Sequence, residues 1–191
     1  MKTNHILALS ILLLIVGCTT GITSFKSGIN KMDKINKKYS IDFKSMPNTI
    51  ENAVLMRNDL KQITGMSVNV PESFTLFLDY RIKSLEGNII HLEAWKHGMK
   101  ASTRDGFGCK SLPIIVNSSI LRNASAQRGY EAIEVLQEFV DKYPEEALSI
   151  NITQRDIVFS NFYYYEIERE AKRDRGIIEH FCGNKTKEQG D

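Results

Sequence analysis

The chain has 191 residues, of which 42% are hydrophobic and 25% charged, with a formal net charge of +2. That length is enough for one domain with a real core, and so small a charge gives no electrostatic case for nucleic acid as a partner.

The first eighteen residues carry the sharpest local signal. Lys2 and the amino terminus make a short positive start, an apolar run from Ile6 to Val16 is interrupted only by Ser10, and small Gly17 stands before Cys18. A membrane-spanning helix needs about 20 apolar residues, whereas a targeting core takes about 7–15. This stretch resembles the signal peptide of a bacterial lipoprotein, with Ile15-Val16-Gly17-Cys18 as its lipobox. The resemblance is confined to these residues. It implies that residues 1–17 are removed and that Cys18 carries lipid at the new amino terminus. The protein is then expected to sit in the cell envelope, membrane-anchored and facing the extracytoplasmic side. Each buried methylene of an acyl chain contributes about 0.8 kcal/mol, so two or more chains hold firmly where one does not. Removing residues 1–17 leaves 174 residues. With Cys18 assigned, Cys109 and Cys182 remain as a pair in a compartment that tolerates disulfides. They are either bridged or two buried thiols acting as small hydrophobes, and the address favours the bridge. Four Asn-x-Ser/Thr triplets begin at Asn117, Asn123, Asn151 and Asn184; such triplets are glycan acceptors only in a host with the machinery.

Residues 18–45 read as the lipidated Cys18 and a flexible basic tether. Apolar residues are scattered there, and six lysines from Lys26 to Lys44 face only Asp33 and Asp42. The tether is either a strap against anionic head groups or, more simply, a solvated spacer. Lys31 to Tyr39 is its one stretch with helical promise.

From residue 46 to 182 the helical period dominates. Pro47 near the start and Gly65 at the end bracket a helix through Ile50, Val54, Leu60 and Ile63. After the extended connector 66–71, Ser73 caps a long helix. Phe74, Phe77, Leu78, Ile82, Leu85, Ile89, Leu92 and Trp95 recur along it at spacings of three and four. Residues 99–112 form a glycine-punctuated loop. Pro113 opens a helix through Ile115, Ile120 and Leu121, and Gly129 is expected to separate it from a second helix with Ile133, Leu136 and Phe139 on its buried side. Pro144 stops that helix and starts a brief turn. Thr153 and Asp156 form a capping pair for the last helix, whose part beyond Glu166 is charged enough to be solvated. Residues 183–191 read as a frayed tail. The pattern predicts an all-α fold, a four- to five-helix bundle or helical array.

Chemistry is hard to find. His91 and His97 are six apart, where a zinc helix of the protease type needs two histidines four apart. Glu93 and His97 share a helix face, so a small envelope hydrolase would use them, with His180, Arg104 and Asp105 brought in by the fold. No cofactor or metal is indicated. A space between helices lined by Phe74, Phe77 and Trp95 is the alternative, as a pocket for a small apolar ligand. The aromatic cluster Phe159, Phe162, Tyr163, Tyr164 and Tyr165 is the most unusual feature. Three consecutive tyrosines span about 200° of a helix, so they cannot all enter one core. Within it, Phe162, Tyr163, Tyr164 and Tyr165 are the expected contact surface for another envelope protein.

Overall fold

The helical periodicity becomes six α-helices, with no strand, among the described residues, which are 21–39, 46–65, 69–104 and 109–183 of the computed structural model. They are α1 Phe25–Lys38, α2 Met46–Gly65, α3 Glu72–Arg104, α4 Leu112–Lys142, α5 Pro144–Ser149 and α6 Gln154–Gly183, with a 3-10 turn Cys109–Ser111 before α4. The fold is the expected all-α bundle. Prolines begin α4 and α5, where the missing N–H costs nothing.

The three long helices form the frame. α4 lies between α3 and α6 and runs antiparallel to both, because residue numbers rise along it as their partners' numbers fall. Ser125 donates to the Gly87 carbonyl at 2.8 Å and Ser118 to the Ala94 carbonyl at 2.9 Å on α3. On the other side Ser119 donates to the Ala171 carbonyl of α6 at 2.8 Å. The buried stripe of α4 thus combines the expected Ile115, Ile133, Leu136 and Phe139 with a middle run of small residues, Ser118, Ser119, Ser125, Ala126, Gly129 and Ala132, that the hydropathy pattern does not single out. Ile120 is more than half exposed.

The expected break at Gly129 does not exist, and α4 is continuous through it. Glycine costs a helix interior about 1 kcal/mol relative to alanine. Here that cost is offset by a tertiary contact, since the Tyr164 ring of α6 lies where a Cβ on Gly129 would be. Trp95 also departs from expectation. It is half exposed, while the neighbouring Ala94 is the fully buried residue at that level of α3.

The tether reading does not hold for residues 25–38, which form α1 and pack on the bundle. Ser24 and Ser27 build a reciprocal capping box, and Lys37 and Lys38 close the helix at its negative end. Ile22 and Met32 are buried in the common core, and Phe25 stacks on Phe139 with ring centroids 5.7 Å apart. Gly28 leaves room for the Phe74 ring, so α1 seats close to α3. Lys38 and the Tyr39 hydroxyl both bond the Asp59 carboxylate of α2, at 2.9 and 2.7 Å. The lysines of this segment are placed by an amphipathic helix with a narrow apolar edge, which scattered hydropathy conceals. Residues 40–45 and the tail 184–191 lie outside the described residues.

Short connections join the later helices. Asn151 adopts φ 58°, the left-handed region that asparagine tolerates better than most residues, and it turns the chain from α5 to α6. The Thr153 N–H and hydroxyl both donate to the Asp156 carboxylate at 2.8 Å, so the capping pair forms as expected.

Two glycine substitutions should differ in sign. Gly129→Ala sets a methyl group against the Tyr164 ring and should destabilise the fold by about 1–3 kcal/mol. Gly176→Ala, on an exposed turn of α6 with nothing near the new Cβ, should stabilise by about 0.5–1 kcal/mol. Urea unfolding of both variants checks the pair; equal effects would refute the close seating of Tyr164 on α4.

Candidate functional site

α6 carries apolar side chains on two opposite faces. At about 100° per residue, Ile157, Tyr164, Ile167 and Ala171 share one azimuth, and all four are buried against α4 and its neighbours. On the far side Val158, Phe159, Phe162, Tyr163 and Tyr165 are between 46% and 66% exposed. The tyrosine triplet therefore divides. Tyr164, only 4% exposed, belongs to the core and is removed from the expected contact surface, while Tyr163 and Tyr165 stay on it with Phe162. Burial raises the Tyr164 hydroxyl above its usual pKa, and Ser84 hydrogen-bonds it. Phe159 and Val158 extend the surface one turn toward the start of α6.

Beside this face, α2, α3 and α6 enclose a groove of about 430 Å³ lined by Ala53, Leu85, His91, Leu92, Phe159 and Tyr163, among others. His91 is its one imidazole. The ring sits 6.3 Å from that of Tyr163, edge-on, and 6.1 Å from that of Trp95. Burial is the main influence that lowers its pKa, the Arg122 guanidinium adds to the effect, and Glu170 opposes it. Nδ1 is buried without a protein hydrogen-bond partner. Arg122 itself reaches from α4 to Asp174 of α6 at 2.6 Å and Glu170 at 4.0 Å. Burial and the Arg122 guanidinium thus hold the His91 imidazole below its ordinary pKa.

Glu93 pairs with Lys96 at 3.9 Å, His97 lies a turn further along α3, and His180 is exposed near the end of α6. The Arg104 side chain and Asp105 lie outside the described residues. No three His, Cys, Asp or Glu side chains among the described residues converge to hold a metal ion. Phe74, Phe77 and Trp95 do not line one space either. Phe74 and Phe77 are core residues under α1, and Trp95 stands eighteen positions beyond Phe77, about 27 Å along the helix.

Cys109 and Cys182 are bridged, with Cα atoms 5.5 Å apart. The bond ties the end of α6 to the turn that starts α4. Closing a loop of 73 residues is worth on the order of 4 kcal/mol on the chain-entropy account. Cys18 and the lipobox lie outside the described residues. No helix among the described residues is long and apolar enough to cross a membrane. In comparison with known proteins, no family model, curated protein or solved structure matches the chain. The fold defines an all-α bundle that leaves an aromatic face of α6 exposed among the described residues.

The depressed pKa of His91 has a sign that can be measured. A histidine held below its ordinary value of about 6.5 binds protons more readily unfolded than folded. Stability should fall as pH drops from about 6.5 through the folded pKa. His91→Gln keeps a polar side chain of similar reach and removes that proton. Denaturant unfolding at about pH 7.5 and about pH 5 should show a larger loss for the natural chain than for the variant. Parallel losses would mean that His91 is not held neutral by burial.

Proposed function

We propose that this chain is a lipid-anchored extracytoplasmic protein of the bacterial cell envelope whose helical bundle is a non-catalytic binding or structural module, docking a protein partner through the outer face of α6. One observation carries the docking. Five large apolar side chains stand exposed on a helix whose opposite face is already packed in the core. A single exposed hydrophobe is ordinary, but a contiguous aromatic patch on a monomer marks an interaction surface. Tyrosine and phenylalanine suit that use, offering large area with few rotamers to lose. Two observations support the address: the lipobox-like residues 15–18, and a disulfide of the kind that oxidising compartments keep.

The address is tested by the intact mass of the protein extracted from its native membrane. Residues 18–191 plus acyl chains are expected, and a mass that retains residues 1–17 rules out the lipoprotein. The surface is tested by a photo-crosslinking side chain at position 158 in intact envelopes. Replacing both Phe162 and Tyr165 by alanine should cut the crosslinked product about tenfold or more without changing the melting temperature. Undiminished crosslinking would eliminate this face as the contact.

A further inference from the structure

We propose that the occupant of this face is α6 of a second copy of the chain, the two helices lying antiparallel about a two-fold axis that sets Arg155 of each copy against Glu166 of the other. The inference rests on the reading that the face docks protein, and it names the partner.

The argument begins with spacing. Arg155 and Glu166 are eleven positions apart, about three full turns, so they share an azimuth, with Phe159 and Phe162 between them. A symmetric dimer needs a patch that complements itself. An axis passing between positions 160 and 161 supplies this. It puts Arg155 opposite the partner's Glu166 and Phe159 opposite the partner's Phe162, each contact occurring twice.

The charges at the ends of the patch are suited to it. The Arg155 guanidinium lies over the Phe159 ring at 5.2 Å and has no ion pair among the described residues. Glu166 is bonded by the Arg169 guanidinium of its own helix and by no other cation among them, and a carboxylate can accept from two guanidinium groups. A competing alignment centred on Phe162 would bring Arg155 against the partner's Arg169, and like charges disfavour it. The same charges argue against a bilayer as the occupant. An interfacial helix carries lysine and arginine at its edges, whereas Glu166 within the patch would be repelled by anionic head groups.

Area sets the strength. An aromatic side chain offers about 150–250 Å², so five side chains more than half exposed on average bury on the order of 500 Å² per copy. The total, about 1,000 Å², lies at the lower edge for specific association. The dimer is therefore weak and reversible, and anchoring both copies to one membrane would raise their effective concentration.

Sedimentation equilibrium of the full chain in detergent, over a concentration series, tests this. The natural chain should show reversible monomer–dimer exchange. Arg155→Glu should weaken it about tenfold, since two like-charge contacts replace two attractive ones, and Glu166→Arg should do the same. The double variant R155E/E166R restores the complementarity and should return to within about twofold of the natural chain. Arg155→Glu places an acidic side chain in the first turn of α6, where the helix dipole favours it, so folding is not at risk. A natural chain that stays monomeric throughout overturns the inference. So does a double variant no better than the singles, or single variants that dimerise like the natural chain. If the natural chain is monomeric while position 158 still crosslinks to a different protein, the docking face stands and only its occupant is wrong. If instead the monomer binds anionic phospholipid vesicles and loses that binding on F162A, the face is a membrane contact. If neither dimer nor crosslink forms, both readings fall.

Discussion

The close approach of α4 to its two neighbours is the constraint on which the rest of the structure depends. Large side chains hold helices 8–10 Å apart, whereas serine, alanine and glycine let backbones come nearer, and a serine hydroxyl can then reach a carbonyl across the gap. α4 uses this on both sides, toward Gly87 and Ala94 on α3 and toward Ala171 on α6. Each such bond is worth about 1 kcal/mol net. Their larger effect is on register, because a hydroxyl donating to one particular carbonyl fixes how far each helix is slid along the other. Gly87 completes the seat, since a Cβ there would lie 3.3 Å from the Ser125 carbonyl oxygen.

Register at α4 decides what α6 can show. With Tyr164 lying on Gly129 and Ser119 bonded to Ala171, the azimuth of α6 is set over about two turns. Arg122 and Asp174 hold it a turn further on, and the disulfide fastens its end. Rotation that would bury the outer aromatics is therefore excluded, because it would remove Tyr164 from its seat and leave Arg122 half-buried without its carboxylates. On the opposite edge of the bundle, Glu86 does comparable work. It takes Lys61 of α2 at 2.6 Å and the Arg128 guanidinium of α4, and these bonds hold its carboxyl below the usual range even though burial pushes it up. Such a mostly buried, doubly paired carboxylate orients α2, α3 and α4 more than it stabilises them.

The sequence made the long helices legible because their apolar residues recur at the helical period and prolines and glycines stand near several of their ends. It made α1 illegible for a physical reason. Only Ile22, Gly28 and Met32 of that region are buried, and a stripe this narrow among many lysines resembles a spacer until Phe74 and Asp59 are placed beside it. Gly129 misled for the complementary reason. A glycine is a helix stop by its local propensity, and only a ring delivered from thirty-five residues downstream makes it part of a helix interior. The candidate surface was half legible. Three adjacent tyrosines announce that some must face outward, but which one turns in depends on the seat that α4 provides.

That division of the triplet joins the core to the outer surface in one element. Tyr164 contributes its ring to the core, Tyr163 makes an edge contact with Tyr164 at 5.1 Å and another with His91, and Tyr165 faces solvent. The three positions therefore form a graded series from packing to surface. Truncating Tyr164 leaves a cavity over Gly129 and belongs with the large-to-small losses of about 3–5 kcal/mol known for aromatic core residues. Tyr165 has no comparable contact to lose. Tyr163 lies between them, one edge on the groove wall and the other in the exposed patch, so the patch is continuous with the wall that contains His91. The exposed patch of α6 and the half-buried imidazole are thereby in contact through one ring, and the packing of Tyr164 on α4 keeps that ring in place.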